Sequence, residues 1–238
     1  MYKRQLFGTG KFMETGDKSP TQTQAFYGVI DRNTNALSDI VSGRSVMTQQ
    51  IIKVEQNFTF TTPSGATVTL PLRVTTDNAV TGATGRGWYM ELLSPNTPNF
   101  RGEMQVSDSV LRNGRIIFTT LIPDPDPCSA GGTSWLMEME ALSGARLEAS
   151  PLDNNRDGLF TDQDFVTVTI DGVVVRVAVS GMQSEVGIAQ RPGILSGETA
   201  EYKYLSGTTA SASGSNIQRA VENPGPNARG RQSWRQIK

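Results

Sequence analysis

Residues 153–164 (DNNRDGLFTDQD) carry side-chain oxygens at positions 1, 3, 5, 9 and 12 of a twelve-residue stretch, with Gly158 at position 6. This is the order in which a calcium loop offers its ligands. Asp153, Asn155 and Asp157 are set to point inward from alternate residues of a curling backbone. Gly158 permits the sharp turn that brings the Leu159 carbonyl to the ion. Thr161 is placed to coordinate directly or through a water, and Asp164 to close the far side, although it is shorter than the usual glutamate. Ca2+ suits such a set because it is a hard cation that takes about six to eight oxygens at flexible geometry. Three carboxylates against a doubly charged ion suit calcium better than a metal that prefers thiolate or imidazole. Asp, Asn and Gly also build metal-free turns, but here all the pattern positions agree at once.

The elements that must hold this loop read as strands. Residues 165–170 (FVTVTI) are alternating and β-branched, so the loop leads into a strand and not into the helix of an EF-hand. A calcium clip inside an all-β fold is therefore expected. Composition agrees: 24 glycines and 12 prolines, with abundant Ser and Thr, favour many short strands joined by turns. At 238 residues the chain is long enough to bury a real core, as one large or two small domains.

Several function classes lose their chemistry. The absence of histidine removes Ser-His-Asp and Cys-His catalysis and histidine-based zinc sites. Cys128 is the single cysteine, so no disulfide can form within the chain and no thiolate cage can hold a metal. It is either a buried small hydrophobe or a residue whose partner lies outside this sequence. A net charge of −1 gives no electrostatic reason to invoke nucleic acid or an anionic membrane. No apolar run is long enough for a transmembrane segment, and the start shows no charged-then-apolar leader.

Taken in order, residues 1–5 read as a foreign or disordered start that runs abruptly into Leu6-Phe7-Gly8-Thr9-Gly10. Residues 25–30 predict a strand, followed by a turn from Asp31 to Asp39. That turn has alternating oxygens but lacks the central glycine and a third early acid, so it reads as a turn and not a second ion site. Residues 50–61 and 66–74 predict a hairpin about Pro63-Ser64-Gly65, and residues 85–92 another strand. Asn113-Gly114 and Asp171-Gly172 each sit between apolar runs and predict tight hairpins. Residues 135–141 (WLMEMEA) predict a strand behind Gly131-Gly132.

The stretches around Phe26, Trp88 and Trp135 share an aromatic, an alternating run and an acid. This weak repeat is compatible with propeller blades; an irregular β-sandwich is the alternative. Trp88, Trp135 and Trp234 are expected in the core more than on a ligand platform. Residues 206–229 have the composition of a flexible loop. Residues 230–238 predict a last strand that closes a sheet, with Arg229, Arg231 and Arg235 on a solvated end.

Four stretches resemble a known family: Leu6-Phe7-Gly8-Thr9-Gly10-Lys11; residues 114–123 (GRIIFTTLIP); Asp126-Pro127-Cys128 with the GGTSWLME run of residues 131–138; and residues 230–236 (GRQSWRQ). They are similar to the PilY/PilC-type factors of bacterial type IV pili. The resemblance implies the C-terminal part of a modified β-propeller with a quinoprotein-dehydrogenase-like shape. Residues 6–205 would form the propeller portion around the calcium loop. It further implies calcium held by Asp153, Asn155, Asp157 and the Leu159 carbonyl. Where the family can show an acid this chain has Thr161, so Asp162 or Asp164 would supply the missing charge. A non-enzymatic role follows: promotion of pilus extension, surface adhesion, and contact with minor pilins and the type IV pilus machinery. Receptor contacts would belong to an N-terminal region outside this sequence. The location implied is the periplasm, outer membrane or cell surface. Two other readings stand beside it, a calcium-braced adhesin module unrelated to pili and a quinoprotein-like dehydrogenase fragment. No second cluster of acids, Arg and Trp supports the latter.

Overall fold

Alternating and β-branched runs need hydrogen-bonding neighbours and at least one covered face, and the chain meets this with stacked, mainly antiparallel sheets. The computed structural model describes residues 3–19, 22–32, 34, 36, 39–81, 85–97, 102–124, 131–212 and 214–225. An outer sheet comes first, from β1 (Lys3–Gly8), β2 (Ala25–Asp31) and the short β3 (Thr48–Gln50). A long hairpin follows, β4 (Ile52–Thr61) and β5 (Thr67–Thr75), and then β6 (Gly87–Glu91) returns to the outer sheet. Next are the hairpin β7 (Val110–Arg112) and β8 (Arg115–Thr119), the small pair β9 (Ile122–Pro123) and β10 (Gly132–Thr133), and β11 (Trp135–Glu140). Beyond the acidic loop lie the hairpin β12 (Val166–Ile170) and β13 (Val173–Val177), then β14 (Gly181–Gln183). The last described strands are β15 (Gly193–Ser196), β16 (Glu201–Ser206) and β17 (Ile217–Glu222).

The middle layer is a six-stranded sheet in the order β4-β5-β14-β11-β8-β7. One face sends Leu72, Ile117 and Leu136 into a core shared with Val166 and Val168 of β12, Leu205 of β16 and Ala220 of β17. The other face sends Ile116, Phe118, Met137 and Met139 into a second core with Phe26, Trp88 and Met90 of the outer sheet, whose order is β1-β2-β6-β3. Cover on both faces explains why every residue of β8 is buried. Within the second core Trp88 stacks on Phe26, which stacks on Phe118, and its indole N–H donates to the Ala141 carbonyl at 3.2 Å. Gly144, at φ +68°, lies so close that a Cβ there would sit 2.3 Å from the indole ring.

Fully buried Arg73 stands in the middle sheet. Its guanidinium pairs with Glu55 at 2.7 Å and Glu103 at 2.6 Å, and lies 4.0 Å from the centre of the Trp135 ring. A charge so far from water persists only when its donors are matched, as they are here.

The hairpins at Asn113-Gly114 and Asp171-Gly172 form as expected, with both Asn113 and Asp171 in the left-handed region at φ 49° and 51°. Trp88 and Trp135 are core residues; Trp234, Cys128 and the expected closing strand 230–238, with Arg229, Arg231 and Arg235, lie outside the described residues. Three expectations are corrected. The weak repeat does not mark successive blades: the strands of Phe26 and Trp88 are neighbours in one sheet, and that of Trp135 belongs to another, while the all-β class holds and no closed propeller forms among the described residues. The supposed repeat therefore reflects shared inward-facing aromatics and not equivalent blades. Lys3, Arg4 and Gln5 are not a disordered start but pair with Asp31, Ile30 and Val29. Residues 217–222, inside the stretch whose composition suggests loop, form β17 against β16. No helix of the described residues is long and apolar enough to cross a membrane.

Candidate metal centre

The acidic loop hangs between two fixed strands. At its start Asp153 N–H donates to the Val221 carbonyl of β17 at 3.1 Å, and Asn223 N–H donates back to the Pro151 carbonyl at 2.9 Å. At its end a single 3-10 turn, Asp162–Asp164, delivers the chain into β12. Between these anchors the backbone curls through two left-handed residues, Arg156 at φ 61° and Gly158 at φ 77°. Glycine adopts that geometry without steric cost, which is why it stands at position 6.

The side chains organise the curl. Asp153 accepts from the N–H groups of Asp157 and Gly158, each at 3.0 Å, and Asn155 Oδ1 accepts from Asp157 N–H at 3.0 Å. Asp157 accepts from Leu159 N–H at 2.7 Å, which fixes the Gly158–Leu159 peptide immediately before the carbonyl at position 7. The Thr161 hydroxyl caps the short turn by accepting from Gln163 N–H at 3.2 Å. Asp164 is fully buried and braces the loop from below, accepting from the N–H groups of Asn154 at 2.7 Å, Asn155 at 3.2 Å and Thr161 at 3.1 Å. Of the two acids that could supply the missing charge, Asp164 faces in. Asp162 is 72% exposed and pairs outward with Arg176 at 3.3 Å. Asn154 was not among the expected ligands. Its side-chain amide donates to the Asp164 carbonyl at 2.7 Å, and its buried Oδ1 has no hydrogen-bond partner among the described residues. Position 2 of a calcium loop carries no ligand, so spacing gave no reason to single it out.

The loop brings its oxygens onto one curl, but among the described residues no three Asp, Glu, His or Cys side chains converge as a ready-made metal cluster. Their carboxylates are engaged with backbone N–H groups. Each carboxylate has about four acceptor directions, so such a bond leaves others open to a cation. The donor set is all oxygen, as calcium requires. Among the described ion pairs none reaches Asp153, Asp157 or Asp164, in contrast to most buried acids of this chain. These residues fit a hard divalent cation.

Burial pushes the Asp153 carboxyl above the ordinary aspartate value, and the nearby Asp157 charge adds to the rise. Burial likewise pushes Asp164 up, with the Asp153 charge adding to it. A carboxyl raised on folding contributes stability that is present below its unfolded pKa and is lost as pH climbs through the folded one. In chelator the loop is therefore expected to lose protection as pH rises from the ordinary aspartate range toward neutrality. Added calcium, which binds the ionised form, should reverse that trend. Hydrogen exchange of the Asp157, Gly158 and Leu159 amides across this pH range measures it; identical profiles with and without calcium would contradict it.

The turn at Asp39 differs. Asp39 accepts from the Thr34 hydroxyl and pairs with Arg86 at 2.8 Å and Arg32 at 3.3 Å. The Thr34 bond, then Arg86 and Arg32, hold its carboxyl below the ordinary range against the effect of burial. Its charge is already met by two arginines, so it reads as a structural turn.

No family model matches the chain. It is similar to the type IV pilus biogenesis factor PilY1 of Pseudomonas aeruginosa, at 28% identity over 243 aligned residues that cover 98% of this chain and 19% of that factor. A PilY1 homolog of Xylella fastidiosa is 29% identical over 154 residues, covering 64% of this chain and 11% of the homolog. The chain thus spans about a fifth of the Pseudomonas relative's length. Among solved structures, the C-terminal domain of Pseudomonas aeruginosa PilY1 superposes with a TM-score of 0.72 at 22% identity, covering 94% of this chain and 42% of that one.

Proposed function

We propose that this chain, homologous to the C-terminal domain of PilY1, is the calcium-binding portion of a type IV pilus assembly factor that promotes pilus extension and surface adhesion. The observation that carries the reading is the loop itself. It is an all-oxygen curl in which Asp153, Asp157 and Asp164 have no basic partner among the described ion pairs, hydrogen-bonded at one end to β17 and continuous at the other with β12. Calcium, when bound, supplies the missing positive charge. Asp153, Asn155, Asp157 and the Leu159 carbonyl would hold it, with Thr161 at the open side and Asp164 bracing the backbone from beneath.

The role read here is non-enzymatic. An ordered loop keeps the edge between β12 and β17 in one conformation, and that edge is the surface offered to minor pilins or other parts of the pilus machinery. Removing the ion restores repulsion between the carboxylates and loosens the edge. The working location is outside the inner membrane, in the periplasm, at the outer membrane or on the pilus. In bacteria whose full-length factor carries Asp157→Ala, surface pili are expected to fall several-fold while the factor's abundance stays unchanged. Normal piliation in that strain would contradict the proposal. Loss of piliation without loss of calcium binding would assign the defect to another cause.

A further inference from the structure

Between β16, β17 and the middle sheet lies a charged cluster that the calcium reading does not use. Lys203 of β16 is 1% exposed and Glu222 of β17 is fully buried, on neighbouring antiparallel strands whose register sets Lys203 opposite Ala220 and Glu201 opposite Glu222. The Lys203 amine contacts Glu222 Oε2 and lies 2.6 Å from Glu138 Oε2 of β11. Glu138 Oε1 accepts in turn from Arg115 at 2.8 Å. Glu201 is taken by Arg112. Leu205 and Ala220 of the adjoining core are buried in the same two strands.

One feature separates this cluster from the buried pair at Arg73. There the carboxylates share the guanidinium through well-formed hydrogen bonds, whereas among the described residues Glu222 Oε1 has no partner and Oε2 meets only the Lys203 amine. A buried carboxylate met by a single amine is poorly compensated, and that amine offers a chemical way out. We propose that Lys203 and Glu222 join in an intramolecular amide (isopeptide) bond that staples β16 to β17, with Glu138 as the proton-transferring carboxylate.

The step balances without any co-reactant. In the apolar surroundings the proton of the Lys203 ammonium passes to Glu222, giving a neutral amine beside a neutral carboxylic acid. The Lys203 nitrogen attacks Cδ of Glu222 and forms the N–C bond. Glu138, oriented by Arg115, accepts the proton from that nitrogen and delivers it to the departing hydroxyl. The C–O bond breaks and one water leaves, so two buried charges are replaced by one neutral amide. Burial drives the Lys203 ammonium below its usual range against the pull of Glu138, the direction the attack requires.

The bond would fasten the strand on which the acidic loop hangs, since Asp153 N–H donates to the Val221 carbonyl. The inference is independent of calcium and of the pilus reading. Its test is the intact mass of the purified, denatured chain. The expected mass lies below that of the sequence by one water, and peptide fragmentation locates a branched peptide joining residues 203 and 222. Lys203→Met and Glu138→Gln should each show the full sequence mass. Glu222→Gln should lose one ammonia instead, because its amide is attacked at the same carbon. A wild-type chain at its full sequence mass would overturn the proposal and leave the cluster as ion pairs. A branched peptide joining Lys203 to any other residue would overturn it equally.

Discussion

Replacing Arg73 with methionine is expected to lower the unfolding free energy by about 3–5 kcal/mol, the range for removing one partner of a buried ion pair. Methionine approximates the volume of the side chain but supplies no donors. Glu103, which takes two guanidinium bonds at 2.6 and 2.7 Å, and Glu55, which takes two at 2.9 and 2.7 Å, would both lose their partner inside the fold. Contact with the Trp135 ring would go as well. The cost falls on the join between β4, β5 and the segment of Glu103, so loss should be global. Urea unfolding at neutral pH measures it. A change under about 1 kcal/mol, typical of an exposed pair, would mean the cluster is not buried as described.

The second large effect concerns the ion. With calcium at about a hundred times its dissociation constant, a single site on the folded state adds about 2.7 kcal/mol of stability. Asp157→Ala is expected to abolish that increment. In chelator the same variant should lose only about 0.5–1.5 kcal/mol, the worth of a hydrogen bond such as the one from Leu159 N–H. Asp162→Ala is the matching control, because its carboxylate points outward to Arg176. It should keep the full calcium response. An undiminished response in Asp157→Ala, or its loss in Asp162→Ala, would redraw the site.

How much of this was legible in the sequence depends on the range over which each residue acts. The acidic loop is local: Asp153, Asp157 and Gly158 fix one another's geometry within a few residues, so spacing alone placed the turn and the strand that follows. The hairpins at Asn113-Gly114 and Asp171-Gly172 are legible for the same reason. What failed depends on distant partners. β17 lies in a stretch rich in Ser, Gly and Ala, and it becomes a strand because β16 and the loop's first residues occupy its hydrogen bonds. In β16 the inward positions are Glu201, Lys203 and Leu205, while Tyr204 is exposed, the reverse of ordinary patterning. The facing side chains of Arg112, Glu138 and Glu222, from other strands, meet that orientation. The aromatic repeat misled because Phe26, Trp88 and Trp135 share an inward-facing role in one core without occupying equivalent places in the sheets.

Within the loop, sequence identified the oxygens but not their division of labour. Thr161 and Asp164 hold the turn together through backbone N–H groups, and Asn154 locks the Asp164 carbonyl from a position the pattern leaves blank. The shape of the curl thus rests in part on residues other than those proposed to hold the ion.

The most direct measurement is calorimetric titration of calcium into the chelator-stripped chain at near-physiological ionic strength, beside Asp157→Ala. The account predicts one saturable site in the wild-type chain and none in the variant. Absence of binding to the wild-type chain, or equal binding to both, would contradict a calcium centre at residues 153–164.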